Sequence, residues 1–145
     1  MADWENRFAK KRGVMASTRV LLADDHAGVL AKIRLQLCNV FEIVGAVEDG
    51  KQAVDAVLEL DPDVLVLDIS MPFMNGFEAA ARLRRLRCRT KIVILTVYEG
   101  NEYIDAAFSA GANAFVAKQY LGTDLVTAIR EVLQGATFVS QSLRS

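Results

Sequence analysis

Two cysteines and one histidine are all that this 145-residue chain offers for thiol or soft-metal chemistry. Cys38 and Cys88 stand far apart, with no CxxC or other metal-ligand spacing. Neither a zinc cluster nor a disulfide is expected, and both are read as small, mostly buried thiols. With His26 alone, a histidine-based metal site or an internal histidine nucleophile relay is hard to build, and His26 is read as a surface neighbour of nearby acids. Charge of one sign is scarce as well. Lys and Arg number 17 against 18 Asp and Glu, a net charge of -1, which is no footprint for gripping nucleic acid directly. No apolar run approaches the roughly 20 residues that cross a bilayer. The amino terminus MADWENRFAKKRG lacks the apolar stretch of a signal peptide, so a cytoplasmic location without membrane partners is expected.

What the chain does have is a core. With 52% hydrophobic and 24% charged residues, one folded domain is expected. The stretch around which it is organised is Val64 to Pro72, VLVLDISMP, in which four apolar residues deliver Asp68 to a chain reversal. A short unbroken run rich in Val and Leu suits a strand covered on both faces. In an open parallel sheet, ligands bind beyond the carboxyl ends of the strands, so a carboxylate placed there faces chemistry.

The same strand, turn and helix pattern runs along the chain. Arg19 to Ala23 reads as a strand ending in Asp24, Asp25 and His26, and Ala27 to Cys38 as a helix with Leu30, Ile33 and Leu37 inward. Phe41 to Val47 is the next strand, and Lys51 to Leu60 the next helix, with Ala53, Val54, Val57 and Leu58 on one face. A helix from about Asn75 to Leu86 follows the Val64 strand. Then come the strand Lys91 to Thr96, a helix Asn101 to Ala110 stopped by Gly111, the strand Ala114 to Ala117, and a helix Thr123 to Gln134 capped by Gly135. In that last helix Leu125, Ile129, Val132 and Leu133 are expected to pack. Residues 1–18, with Trp4 and Phe8 one turn apart, read as a flexible extension, or as sequence upstream of a start at Met15. Residues 136–145 read as a polar tail. Five strands alternating with five helices predict an α/β, flavodoxin-like doubly wound domain, (βα)5, with a five-stranded parallel sheet in the order 2-1-3-4-5.

Strand order then gathers chemistry at one edge. Asp24 and Asp25 follow the first strand, Asp68 ends the third, Thr96 the fourth, and Lys118 follows the fifth. Two unit charges ~4 Å apart repel by ~4 kcal/mol at an effective dielectric of 20, so the three carboxylates call for a cation. Oxygen-only ligands in an open site suit Mg²⁺. A lysine charge and a threonine hydroxyl beside them suit a phosphoryl oxygen.

The motifs LLADDH, VLVLDISMPFMNGFE, VILTVYE and AFVAKQ, in register on successive strand ends, resemble the receiver domain of bacterial two-component response regulators (the CheY-like fold) over nearly all of Arg19 to Gln134. The Asp-Asp-His turn, TVYEGNEYI and GATFVS look most like the NarL/FixJ-type subfamily, whose receivers usually precede a LuxR-type helix-turn-helix. The resemblance implies that Asp68 accepts a phosphoryl group from a phosphohistidine of a sensor kinase. It implies Mg²⁺ held by Asp24, Asp25, Asp68 and the Ser70 carbonyl, with Thr96 and Lys118 binding the phosphoryl group and Thr96 and Phe115 forming the switch. It further implies a regulatory role rather than an enzyme's, apart from its own phosphotransfer and slow autodephosphorylation. DNA would be met only through an output domain beyond these residues, so that 136–145 is a tail or the start of a linker; a homodimer is left open.

Two positions depart from the family pattern: Gln119 stands where most receivers have proline after the lysine, and Val97 is larger than the usual Ala or Gly. The Gln119 bond is expected trans, since cis would cost about 2.5–4 kcal/mol. Val97 is expected to slow phosphotransfer from small donors. Against these readings, Asp24 or Asp25 could merely cap a helix. The run Arg82, Arg84, Arg85, Arg87, Arg89 and Lys91 could contact nucleic acid, but suits the carboxyl end of a helix. Met71, Phe73 and Met74 flank a partner groove or cover the site. The rivals are a Mg²⁺-dependent aspartyl-nucleophile phosphatase, whose usual second Asp is here Ser70, and a binding module independent of phosphorylation. A nucleotide or flavin site lacks its glycine-rich loop.

Overall fold

The computed structural model describes residues 18–141; the expectations for Trp4, Phe8 and Met15 lie outside them. Six parallel strands form one sheet in the order β2-β1-β3-β4-β5-β6. They are β1 (Arg19–Ala23), β2 (Glu42–Val47), β3 (Val64–Asp68), β4 (Lys91–Thr96), β5 (Ala114–Ala117) and β6 (Phe138–Val139). Between them run α1 (Ala27–Leu37), α2 (Gly50–Leu60), α3 (Gly76–Arg85), α4 (Asn101–Ser109) and α5 (Leu121–Leu133). This is the CheY-like doubly wound order with one strand added: β6 pairs with β5 through Ala114 with Phe138 and Phe115 with Val139. The pair lies within the segment that polarity marks as tail, and two residues are too few to display a strand period.

The alternation of strand side chains fills two cores at once. Leu21, Leu65, Ile94 and Phe115 face α2, α3 and α4, packing on Ala53, Val57, Ala80, Leu83 and Ala107. Val20, Val66, Val93 and Val116 face α1 and α5, packing on Ile33, Leu37, Leu125 and Ile129. Every residue of β3 is buried, which is why its sequence shows no polar alternation. Truncating Leu65, fully enclosed in the first core, is expected to cost about 2–5 kcal/mol.

Several expectations about burial need correction. Leu58 and Leu133 are exposed, because each follows a buried residue, Val57 or Val132, and sits ~100° further round its helix. Cys38 is exposed and Cys88 half-buried, both as free thiols. Cys38 falls at the cap of α1, past Leu37, whose side chain takes the interior place. Helix α5 begins at Leu121, two residues early, because a 3₁₀ turn over Lys118–Tyr120 leads straight into it.

Candidate functional site

Each strand that feeds the carboxyl edge of the sheet ends in, or is followed by, a polar side chain whose backbone the core holds rigid. Asp24 is the residue after β1 and is fully buried, its Oδ1 accepting the His26 N–H at 2.9 Å. That bond turns the chain into α1. Asp68 closes β3 at 3% exposure. The turn behind it is shaped by Gly76, whose N–H donates to the Ile69 carbonyl at 2.8 Å. A Cβ there would collide with the Asp68 carbonyl oxygen, so the start of α3 can press against the acid's backbone only as glycine. A capping box between Asn75 and Glu78 then starts the helix.

Lys118 closes the ring from β5. Its Nζ lies 2.9 Å from Asp68 Oδ1 and 3.1 Å from Asp24 Oδ2. His26 Nδ1 lies 3.0 Å from Asp25 Oδ1 and 3.2 Å from Asp24 Oδ1. Ligand atoms of Asp24, Asp25, His26 and Asp68 all fall within 4.8 Å of one another. Three carboxylates against one ammonium leave two negative charges in excess. Asp68 Oδ2 is buried without any hydrogen-bond partner, and Asp24 Oδ2, though beside the ammonium, has none of hydrogen-bond geometry. A buried unpaired polar atom costs about 1–3 kcal/mol, more if charged. Hard oxygen donors, excess negative charge and an orphaned carboxylate oxygen together fit a hard divalent cation.

The same crowding shifts two acid–base groups. Burial pushes the Asp68 carboxyl above its ordinary 3.8, with the neighbouring Asp24 adding to the rise, while Lys118 and the Ser70 backbone N–H, which donate to it, only partly offset this. For Lys118, burial works against the charged form, but Asp68 and Asp24 outweigh it and raise the amine above its ordinary 10.5.

Of the site residues expected from sequence, Asp24, Asp68 and Lys118 are in direct contact, and Asp25 joins them through His26. Thr96 ends β4 beside Ala117, but its Oγ1 accepts the Tyr98 N–H at 2.8 Å rather than reaching the acids. Phe115 is wholly buried in the core facing α4. Ser70 is exposed and its Oγ lies 3.1 Å from the Tyr98 hydroxyl. His26, read as a surface neighbour of the acids, stands in that place, exposed beside Asp24 and Asp25. Two participants escaped the sequence reading. Tyr98 ties Ser70 to Thr96 and stacks on Tyr103 with ring centroids 5.0 Å apart. Ser140, from the tail, bonds the end of β5, and nothing local marks it. Of the three residues left between groove and cover, Met71 is buried, Met74 packs on the core, and Phe73 stands 91% exposed at φ 67°. Val97, also exposed, borders a cleft of about 60 Å³ with Thr96, Glu99, Ala117 and Gln119. The Lys118–Gln119 bond is trans. The basic run ends α3, with Arg82, Arg84 and Arg85 in its last turn, and Arg84 is engaged in donating to the Ser109 carbonyl at 2.9 Å.

The chain matches the model of the response regulator receiver domain over residues 20–130. It belongs to the response regulator receiver family. Among relatives, this receiver is 36% identical over 128 residues to the oxygen regulatory protein NreC of Staphylococcus epidermidis, spanning 86% of the chain and 59% of NreC. The chain thus spans about three fifths of the length of that relative. Among solved structures, a LuxR-family two-component response regulator from Aurantimonas superposes with TM-score 0.81 at 31% identity, covering 88% of this chain and 93% of that one. The receiver domain of the response regulator NarL from Mycobacterium tuberculosis superposes with TM-score 0.79 at 27% identity, covering 82% and 98%. The receiver is therefore a regulatory domain of the two-component type, similar to NarL and LuxR-family members. Among its described residues no helix is long and apolar enough to cross a membrane.

Proposed function

We propose that this receiver takes a phosphoryl group onto Asp68 from a phosphohistidine of a sensor kinase and thereby switches its surface. The observation that carries the reading is the double ion pair of Lys118 with Asp68 and Asp24 beside an unpartnered Asp68 oxygen. An Asp68 oxygen attacks phosphorus. The new O–P bond forms as the P–N bond breaks, and the electron pair leaves on the imidazole nitrogen of the donor. Lys118, already within 2.9 Å of the carboxylate, follows the negative charge onto the transferred group, as positioning and electrostatics require in phosphoryl transfer. Asp24, Asp25, Asp68 and the Ser70 carbonyl would hold Mg²⁺, which when bound supplies positive charge against the phosphoryl oxygens.

Thr96 then exchanges its bond from the Tyr98 amide for one to the phosphoryl group. This loosens the Tyr98–Tyr103 stack and frees room near Phe115, a local charge event biasing a two-state element. The surface so altered, around α4, β5 and α5, addresses an output. Because the chain spans only part of its relatives, that output is proposed to be a DNA-binding domain following residues 136–145, with the whole protein acting in the cytoplasm. A stand-alone receiver acting through protein contacts, or as a homodimer, is the second reading. A turnover phosphatase is disfavoured by Ser70, which cannot serve as the general acid that a second Asp would.

The deciding experiment treats the protein with acetyl phosphate and Mg²⁺ and weighs the product by mass spectrometry. One hydroxylamine- and alkali-labile phosphate per chain, absent in Asp68→Asn, is expected. Sustained release of phosphate over many turnovers, or label that survives Asp68→Asn, overturns the reading.

A further inference from the structure

We infer that Ser140, held by Asp124, is a positioning residue for Lys118, so that the docking of β6 controls how readily Asp68 is phosphorylated. The inference rests on the function proposed above. Ser140 is fully buried although it lies beyond the last helix in a polar segment. Its Oγ accepts the Ala117 N–H at 3.0 Å and donates to Asp124 Oδ2 at 2.6 Å. Its own N–H donates to the Phe115 carbonyl at 3.0 Å. One serine thus grips β5 at two points, and Ala117 is the residue from which the backbone passes directly to Lys118.

The turn that carries Lys118 has little else to define it. The 3₁₀ turn Lys118–Tyr120 has no side-chain cap, and Gln119 lacks the ring that would lock φ in a proline. The Lys118 side chain must nevertheless meet two carboxylates from two other strands at once. An error of ~1 Å in a charged group's placement is enough to cost a reaction about 10²-fold. The hydroxyl is suited to the task, because it can accept from the end of β5 while donating to Asp124 at the first turn of α5. The backbone just before the lysine and the Asp124 side chain beyond it are thereby tied to the same atom. Coupling of this kind is reciprocal: a site that tightens around Lys118 also favours the docked β6.

The test compares rates of Asp68 phosphorylation by acetyl phosphate with Mg²⁺, alongside thermal unfolding and amide hydrogen exchange at Ala117 and Lys118. Ser140→Ala and Asp124→Ala are expected to slow phosphorylation about tenfold, the scale of one lost hydrogen bond, with faster exchange at both amides. Asp124→Asn, which keeps an acceptor for Ser140, is expected to restore most of the rate. Thr90→Val, which removes a buried hydroxyl bonded to the Pro62 carbonyl at the far edge of the sheet, is expected to lower the melting temperature comparably and leave the rate unchanged. An unaltered rate in Ser140→Ala, or equal slowing in Thr90→Val, overturns the inference while Asp68 labelling of the wild type stands. Should Ser140→Ala fail to fold, the Asp124→Ala and Asp124→Asn pair decides alone, and equal rates in the two overturn it. If the wild type takes no phosphate on Asp68, the proposed function falls first and this inference with it.

Discussion

The two edges of the sheet are built on opposite terms. At the amino edge, polar groups are paired redundantly. Arg19 Nη1 donates to the carbonyls of Leu60 and Asp61 at 2.6 and 3.1 Å, and the Arg19 N–H to Asp63 Oδ2 at 2.8 Å. Thr90 Oγ1 donates to the Pro62 carbonyl at 2.8 Å, and Asn113 Oδ1 accepts the Ile92 N–H at 2.9 Å. At the carboxyl edge stand the two buried side-chain oxygens that lack hydrogen-bond partners among the described residues, Asp24 Oδ2 and Asp68 Oδ2. The first edge is satisfied within the chain. The second is left short of positive charge, a stability cost of the kind that functional sites carry.

The sharpest way to break this contrast is Asp68→Asn, which should abolish phosphate incorporation by mass spectrometry and yet raise the melting temperature in chelator. The sign follows from the raised acid. The folded protein binds the Asp68 proton more tightly than the unfolded chain does, so this group's stabilising contribution is complete below 3.8 and is lost as pH rises through the raised value. The advantage of Asn over Asp should therefore be largest near neutral pH and shrink toward acid. Next in size is Lys118→Ala, which strands two buried carboxylates. It should lose about 3 kcal/mol of stability in chemical denaturation, and slow phosphorylation about 10²-fold.

Cation binding should narrow the gap between the edges. Millimolar Mg²⁺ is expected to raise the wild-type melting temperature, and to do so far less in Asp24→Asn, as measured by calorimetry. At the amino edge, Thr90→Val should cost about 1 kcal/mol with no change in labelling. The smallest effect is expected from Val97→Ala. Val97 is 71% exposed at the mouth of the cleft that Thr96 lines, so trimming it should speed acetyl phosphate labelling a few-fold without altering stability.

Much of this was legible along the chain. β1, β4 and β5 have the bounds read from the sequence, and β3 ends on Asp68 as the run VLVLD implies. Strand ends carry the chemistry in any doubly wound sheet, so Asp24, Asp68, Thr96 and Lys118 could be named before their distances were known. Their hydrogen-bond partners could not. That Thr96 faces Tyr98 rather than the acids depends on turn dihedrals that no periodicity reports. Leu58 and Leu133 were misplaced because a residue at the edge of an apolar arc can fall on either side of it, and only the neighbouring layer decides.

Hydrophobic spacing and the order of strand-ending residues determined, without coordinates, that this is a doubly wound domain with an acidic edge, because both are properties of local sequence acting through one sheet; that it resembles a receiver came from its motifs. The seating of Phe138 and Val139 as a sixth strand, the burial of Ser140 against β5, and the unshared oxygen of Asp68 were decided only in three dimensions. Each rests on contacts between segments tens of residues apart, and no local pattern encodes which distant carbonyl or hydroxyl will be waiting.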